Sequence, residues 1–241
     1  MIKLYQFARV PDVPNFSHFC TKVETYLKLS RLPYQVVATL PMKAPKGKLP
    51  YIEDQGRIIA DSRLIIEYLK QRYGDTLDGK LDKTEKAVAL GMQRLIEEHF
   101  FWVTMYTRWQ SSEANWRENK QAIFGLLPPV IRDVAAAVYR ALIKRQIYGH
   151  GLGRLTWDEI LELGKADVDA MANLLNDKPY MLGAQPSSLD ASAFGFLTNT
   201  INVPIESDIK NYIRSKANLV RYCDRITEEF FPEIRERALG H

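Results

Sequence analysis

The sequence predicts two domains of different class: an α/β domain over residues 1–76 in the order βαβ-ββα, then an all-helical domain over residues 81–241. Three observations carry that expectation. Short β-favouring runs occur at residues 2–8, 34–38, 51–53 and 57–59 and then cease. The stretch Gly74-Asp75-Thr76-Leu77-Asp78-Gly79-Lys80 has the glycine and polar content of a linker. Beyond it, apolar residues recur at helical spacing.

Taken in order, Ile2, Tyr5 and Phe7 mark a buried first strand that runs out at Pro11 and Pro14. Asn15 or Ser17 can cap the helix that follows. Its inward face is Phe16, Phe19, Cys20, Val23 and Leu27, Glu24 and Lys28 are spaced for an i,i+4 ion pair, and it stops by Leu32-Pro33. Tyr34-Gln35-Val36-Val37-Ala38 is a second strand, and strand-helix-strand within about thirty-five residues implies a parallel crossover. Pro50 then opens the run Tyr51-Ile52-Glu53, Asp54-Gln55-Gly56 turns the chain, and Arg57-Ile58-Ile59 returns as a hairpin. Asp61 or Ser62 caps a helix with Ile65, Tyr68 and Leu69 in register, ending near Tyr73. This order is that of the thioredoxin-like fold, with Thr39 to Lys48 in place of the usual second helix.

A proline at a strand start is often cis, which leaves the N–H and C=O of the preceding residue to a ligand. A helix start offers unpaired N–H groups and a partial positive charge to a carboxylate. Pro50 and the Asp61-Ser62 helix start together suit a small peptide.

In the second half, Asp82 and Glu85 have capping-box spacing ahead of Val88, Met92, Leu95, Ile96, His99, Val103 and Tyr106. Pro128-Pro129 opens another helix, with Val130, Val134, Val138 and Leu142 expected inward. Thr156 and Glu159 form a further capping box before Leu161, Gly164, Val168, Met171 and Leu175.

Composition excludes several classes. With 46% hydrophobic and 26% charged residues the chain is an ordinary globular protein. A net charge of +4 is too balanced for a nucleic-acid binder, although an anionic small ligand remains compatible. Cys20 and Cys223 are far apart, and His18, His99, His150 and His241 have no ligand spacing, so neither a disulfide framework nor a metal site is expected. No signal layout or membrane-length apolar run is visible, and the expected location is cytoplasmic, with no membrane association.

The loop-Pro-strand-turn-strand segment from Gly47 to Arg63 resembles the glutathione-binding half of the glutathione transferase superfamily. Tyr180 to Asp190, with Ser187 and Asp190 three residues apart, and Asn218 to Ile226 resemble core helices of its C-terminal domain. Ala44 to Ile52, Pro14 to Cys20 and Tyr148 to Ile160 are similar to the branch containing failed axon connections and metaxin-like proteins, with His18 standing where relatives commonly carry proline. The resemblance implies that glutathione is a co-substrate. In that reading Leu49, ahead of Pro50, meets its cysteinyl backbone, Ser62 its γ-glutamyl carboxylate and Asp61 its γ-glutamyl ammonium. It also implies a homodimer and a small hydrophobic electrophile as second substrate. The alternative it implies is a non-catalytic, metaxin-like interaction protein.

The thiolate is the nucleophile in such chemistry, and a hydroxyl at a helix N-terminus stabilises it. Ser17 has that position in Ser17-His18-Phe19-Cys20, and also reads as a plain N-cap. Tyr5, on the first strand, is the runner-up and also reads as a packed aromatic; Cys20 is expected to be a buried structural thiol. His18 is expected at a solvent edge. Phe100, Phe101, Trp102, Tyr106 and Trp109 either wall a pocket or belong to the core and a dimer contact. Arg132, Arg140, Lys144 and Arg145 are expected on a solvated basic face.

Overall fold

The computed structural model describes residues 1–10, 12–125 and 127–234, so Pro11 and His241 lie outside the described residues. Its first half holds β1 (Ile2–Gln6), α1 (His18–Leu29), β2 (Tyr34–Ala38), a 3-10 turn (Pro41–Lys43), β3 (Tyr51–Asp54), β4 (Arg57–Ala60) and α2 (Ser62–Tyr73). The sheet order is β2-β1-β3-β4, with β1 and β2 parallel and the other neighbours antiparallel. This is the expected thioredoxin-like arrangement. Because side chains alternate across a strand, Ile2, Leu4 and Ile52 meet Val23, Tyr26 and Leu27 of α1 and Ile65 and Leu69 of α2. Lys3, Tyr5, Tyr51 and Glu53 take the other face, where the short 3-10 turn replaces a helix.

The second half is helical: α3 (Lys83–Arg94), a π segment (Leu95–Phe100), α4 (Phe101–Trp109), α5 (Glu113–Phe124), α6 (Pro129–His150), α7 (Trp157–Leu175), α8 (Ser188–Ile201), α9 (Asp208–Ser215) and α10 (Ala217–Phe230). The Asp82–Glu85 and Thr156–Glu159 capping boxes both form. The α8 helix is the axis of this half, with every residue but Ser188 buried. Its start is closed by Asp190, which accepts from the Ser187 N–H and hydroxyl at 2.8 Å each, the Met181 N–H at 2.8 Å and the Tyr222 hydroxyl at 3.0 Å.

The α1 helix lies between the sheet and α8, so both of its faces are covered. Gly195 makes this approach possible: a Cβ there would sit 3.0 Å from the Lys22 nitrogen and 3.1 Å from the His18 oxygen. One-sided amphipathicity therefore understates the burial of α1. Glu24 does not pair with Lys28; it accepts from Gln6, Arg9 and Tyr34, while Lys28 reaches Glu233 and the Phe230 carbonyl. Between α2 and α3, Asp78 is buried and accepts from Lys70 and from the N–H and hydroxyl of Ser188.

The expectation for α6 is reversed. Val130, Val134, Val138 and Leu142 do share one face, but that face points outward, with Val130 77% exposed. The helix buries its opposite side, Ala136, Ile143 and Ile147. Ile143 and Ile147 on that side join the core of the helical half, so it is their face and not the valine face that turns inward. On the expected solvated basic face Lys144 and Arg145 are exposed, while Arg140 bonds Glu113 and Arg132 bonds Asp133 at the surface. No single described helix is long and apolar enough to cross a membrane.

Candidate ligand site

Three elements converge beyond the C-terminal end of β1. The first is the α1 N-terminus. Asn15, fully buried, shapes the approach by donating to the Phe7 carbonyl at 2.8 Å and accepting from the Ser17 N–H at 3.1 Å. Ser17 then caps α1, its hydroxyl oxygen accepting from the Cys20 N–H at 3.4 Å. Ser17 stays half-buried, whereas Cys20 is fully buried, and burial pushes its thiol up to about 12 even though Ser17 and the Phe7 backbone hydrogen-bond to it. Such a thiol is inert at neutral pH.

Tyr5 does not join this group. Its ring stacks on Tyr51 at 4.3 Å, and its hydroxyl donates to Glu53 at 2.8 Å. Tyr5 pairs with Tyr51 and Lys3 with Glu53, so the phenol points back along β1, away from Ser17. Hydrogen bonding to Glu53 raises its pKa.

The second element is the Leu49-Pro50 peptide, which is cis as expected. Leu49 precedes the Tyr5–Tyr51 pair, so its N–H and C=O lie outside the β1–β3 ladder.

The third is the start of α2. Asp61 sits at φ +89°, a region that costs a non-glycine residue strain and is seen where surroundings impose it. Its carboxylate accepts from Arg63 N–H at 3.0 Å and Leu64 N–H at 3.4 Å, and its carbonyl takes the Ile65 N–H. The Ser62 N–H is therefore the first-turn donor that Asp61 does not use.

Sequence reasoning missed Lys22. It is fully buried, with Nζ 2.6 Å from Glu97 Oε1 and 3.3 Å from the Ser62 hydroxyl oxygen. Glu97 also accepts from Ser192 at 2.6 Å and Gln93 at 3.0 Å. Burial lowers the lysine's pKa, with Glu97 opposing it. Lysine is almost never fully buried unless paired, but only a partner helix on the far side of α1 reveals that this one is.

His18 is not at a solvent edge. It is buried among Phe101, Phe196 and the Arg108 guanidinium, with Nε2 unpartnered among the described residues; burial first, then Arg108, holds it well below its ordinary pKa. The aromatic residues divide by role. Phe100 and Trp109 belong to the core and Tyr106 stacks on Trp157, while Phe101 meets Phe19 at 5.1 Å and Trp102 meets His150 at 4.8 Å. Phe19 and Phe101, next to the Ser17 cap, form an apolar wall. Among the described residues no three His, Cys, Asp or Glu side chains group as metal ligands.

Sequence comparisons agree with this architecture. A profile of the glutathione S-transferase N-terminal domain matches residues 18–115, and one of the glutathione S-transferase C-terminal domain matches residues 164–226. An isoprene-epoxide–glutathione S-transferase of Rhodococcus sp. (strain AD45) is 37% identical over 95% of this chain and 99% of its own. Failed axon connections of Drosophila melanogaster is 31% identical over 98% of this chain and 59% of its own. Metaxin-2 of Mus musculus is 27% identical over 88% and 81%. Among solved structures, the β-etherase LigF of Sphingobium sp. strain SYK-6 superposes with a TM-score of 0.63 at 18% identity, covering 100% of this chain and 99% of that one. The fold and the cis-proline segment define a glutathione transferase-like protein, and the chain belongs to the glutathione transferase superfamily. Within it, the relatives include the failed axon connections and metaxin branch.

Proposed function

We propose that this protein binds glutathione, stabilises its thiolate with Ser17 and transfers it to a small hydrophobic electrophile in the cytoplasm. Leu49 and Pro50 would hold the cysteinyl backbone, and Ser62 and Asp61 the γ-glutamyl carboxylate and ammonium. The observation that carries this reading is the open start of α2, where Asp61 caps the helix but, among the described residues, leaves the Ser62 N–H unspent beside a buried ammonium. A serine at the α1 N-terminus adds a hydroxyl and the helix's partial positive charge for a thiolate. Epoxides are the first electrophile class to try, because the Rhodococcus relative is named for one. In that reaction sulfur bonds to an epoxide carbon, the ring C–O bond breaks, and the alkoxide takes a proton from solvent.

A homodimer pairing α2 with α3 belongs to this reading. Its support is not the aromatic run from Phe100 to Trp109, whose end members are buried, but exposed Ile58, Leu64, Val88 and Leu90 and an α3 without a buried residue. A concentration-independent monomer mass would remove it.

A second reading, a non-catalytic interaction protein, is favoured by the metaxin relatives. Retention on immobilised glutathione together with epoxide conjugation separates the two. Binding with turnover supports the enzyme, binding alone supports the second reading, and a folded protein that does neither ends the glutathione proposal.

A further inference from the structure

Lys22 is a charged residue with no exposed surface at the junction of both halves of the molecule. An ion pair that merely tied α1 to the helical half would need only Glu97, which the Lys22 ammonium meets at 2.6 Å. The ammonium has three N–H donors, and a further one is spent on the Ser62 hydroxyl oxygen at 3.3 Å. That bond sets the polarity of Ser62. With its oxygen engaged as acceptor, the hydroxyl proton has to be donated elsewhere, and among the described residues nothing in the chain accepts it. Among the described residues Ser62 thus has two unspent donors, its N–H and its O–H, backed by a buried positive charge.

The other charged groups acting on Lys22 are Asp61 and Arg63, which flank Ser62, with Arg63 opposing its protonation and Asp61 favouring it. Glu97 Oε1, which pairs with the ammonium, is shared with the Ser192 and Gln93 donors. An anion at the α2 start therefore meets donors backed by a buried positive group, and charge-assisted hydrogen bonds are the stronger kind.

We propose that Lys22 is a positioning residue for the γ-glutamyl α-carboxylate: it holds Ser62 as a donor and supplies the buried charge behind it, and through Glu97 it makes carboxylate binding depend on the docked helical half. This rests on the glutathione reading above and names the part of glutathione concerned. Lys22 acts through Ser62 and does not touch the ligand.

The test is isothermal titration of the full chain with glutathione and with 4-aminobutyryl-cysteinyl-glycine, which lacks only that carboxylate. Two variants remove the charge without leaving a lone buried ion, Lys22→Gln with Glu97→Gln and Lys22→Met with Glu97→Met. In whichever of them folds, the preference for glutathione over the analogue is expected to shrink about tenfold, with analogue affinity unchanged. Lys22→Arg keeps the charge and is expected to keep the preference. A folded neutral variant with undiminished preference, or equal loss for both ligands, would show that Lys22 is only structural and overturn the inference. A wild-type chain that binds neither ligand would take down the glutathione reading and this inference with it.

Discussion

The α8 and α2 helices each begin with a serine near an aspartate, and they use the pair in opposite ways. At α8, Asp190 collects four donors, two of them from Ser187, inside the helical core. At α2, Asp61 is exposed, takes the Arg63 and Leu64 amides, and leaves Ser62 to a lysine behind it. A fully satisfied helix start can only stabilise the fold; an incompletely satisfied one has donors left for a ligand. The distinction is the number of donors the chain itself consumes, not the residue types.

The largest expected effect tests the closed start. Asp190→Ala leaves the Met181 N–H and Tyr222 hydroxyl without their acceptor and should cost about 3 kcal/mol or more in chemical denaturation. Glutathione affinity of the folded fraction should not change; a loss of affinity at unchanged stability would break the comparison.

Next comes the α1 start. Ser17→Ala should slow conjugation about 10²-fold and raise the pKa of the bound glutathione thiol, read from thiolate absorbance against pH. Tyr5→Phe should leave that midpoint in place and cost about 1 kcal/mol of stability, since its hydroxyl serves Glu53. The opposite pattern would move the thiol-stabilising role to Tyr5.

Ser62→Ala probes the open start directly. Glutathione should bind about tenfold more weakly, while the free energy of unfolding falls by less than about 1 kcal/mol. Equal losses in stability and binding would put α2 in the same class as α8.

The smallest effect concerns Asp78, which bridges α2 and α8. Burial works against its ionisation, but hydrogen bonds from Lys70 and Ser188 outweigh this and hold its pKa below the ordinary value. A depressed folded pKa gives stability that is present above about pH 4 and lost as pH falls through the lower folded value. Asp78→Asn should flatten the fall in stability below about pH 4 while lowering stability at neutral pH by about 1 kcal/mol. A fall identical to wild type would exclude Asp78 as its source.

What could be read from sequence was local. The Asp82, Thr156 and Ser187 caps depend on residues three apart, and the strand order depends on neighbouring runs, so each was visible without tertiary information. The segment from Leu49 to Ser62 was legible for the same reason, as a proline at a strand start followed by a hairpin and a cap. Burial created by distant chain was not legible. Lys22 and His18 read as the polar side of an amphipathic helix because α8, which covers them, lies far along the sequence, while Glu24 is taken up on another side by Gln6, Arg9 and Tyr34. For α6 the period was right and the side wrong: spacing groups Val130 with Val134 and Val138, but only packing decides whether that group or Ala136 with Ile143 and Ile147 goes inward.

The close contact of α1 with α8 at Gly195 also bears on how this protein can be re-engineered. Half-molecule chimeras, in which the first half is recombined with the helical half of a relative, would have to carry across a glycine at this position, a carboxylate for Lys22 and the Ser188 N–H and hydroxyl donors for Asp78. Crossover points placed between α2 and α3 cut the chain at a junction whose side chains are shared, so the ligand-holding half does not behave as an interchangeable cassette, and productive libraries would exchange α1 and α8 together.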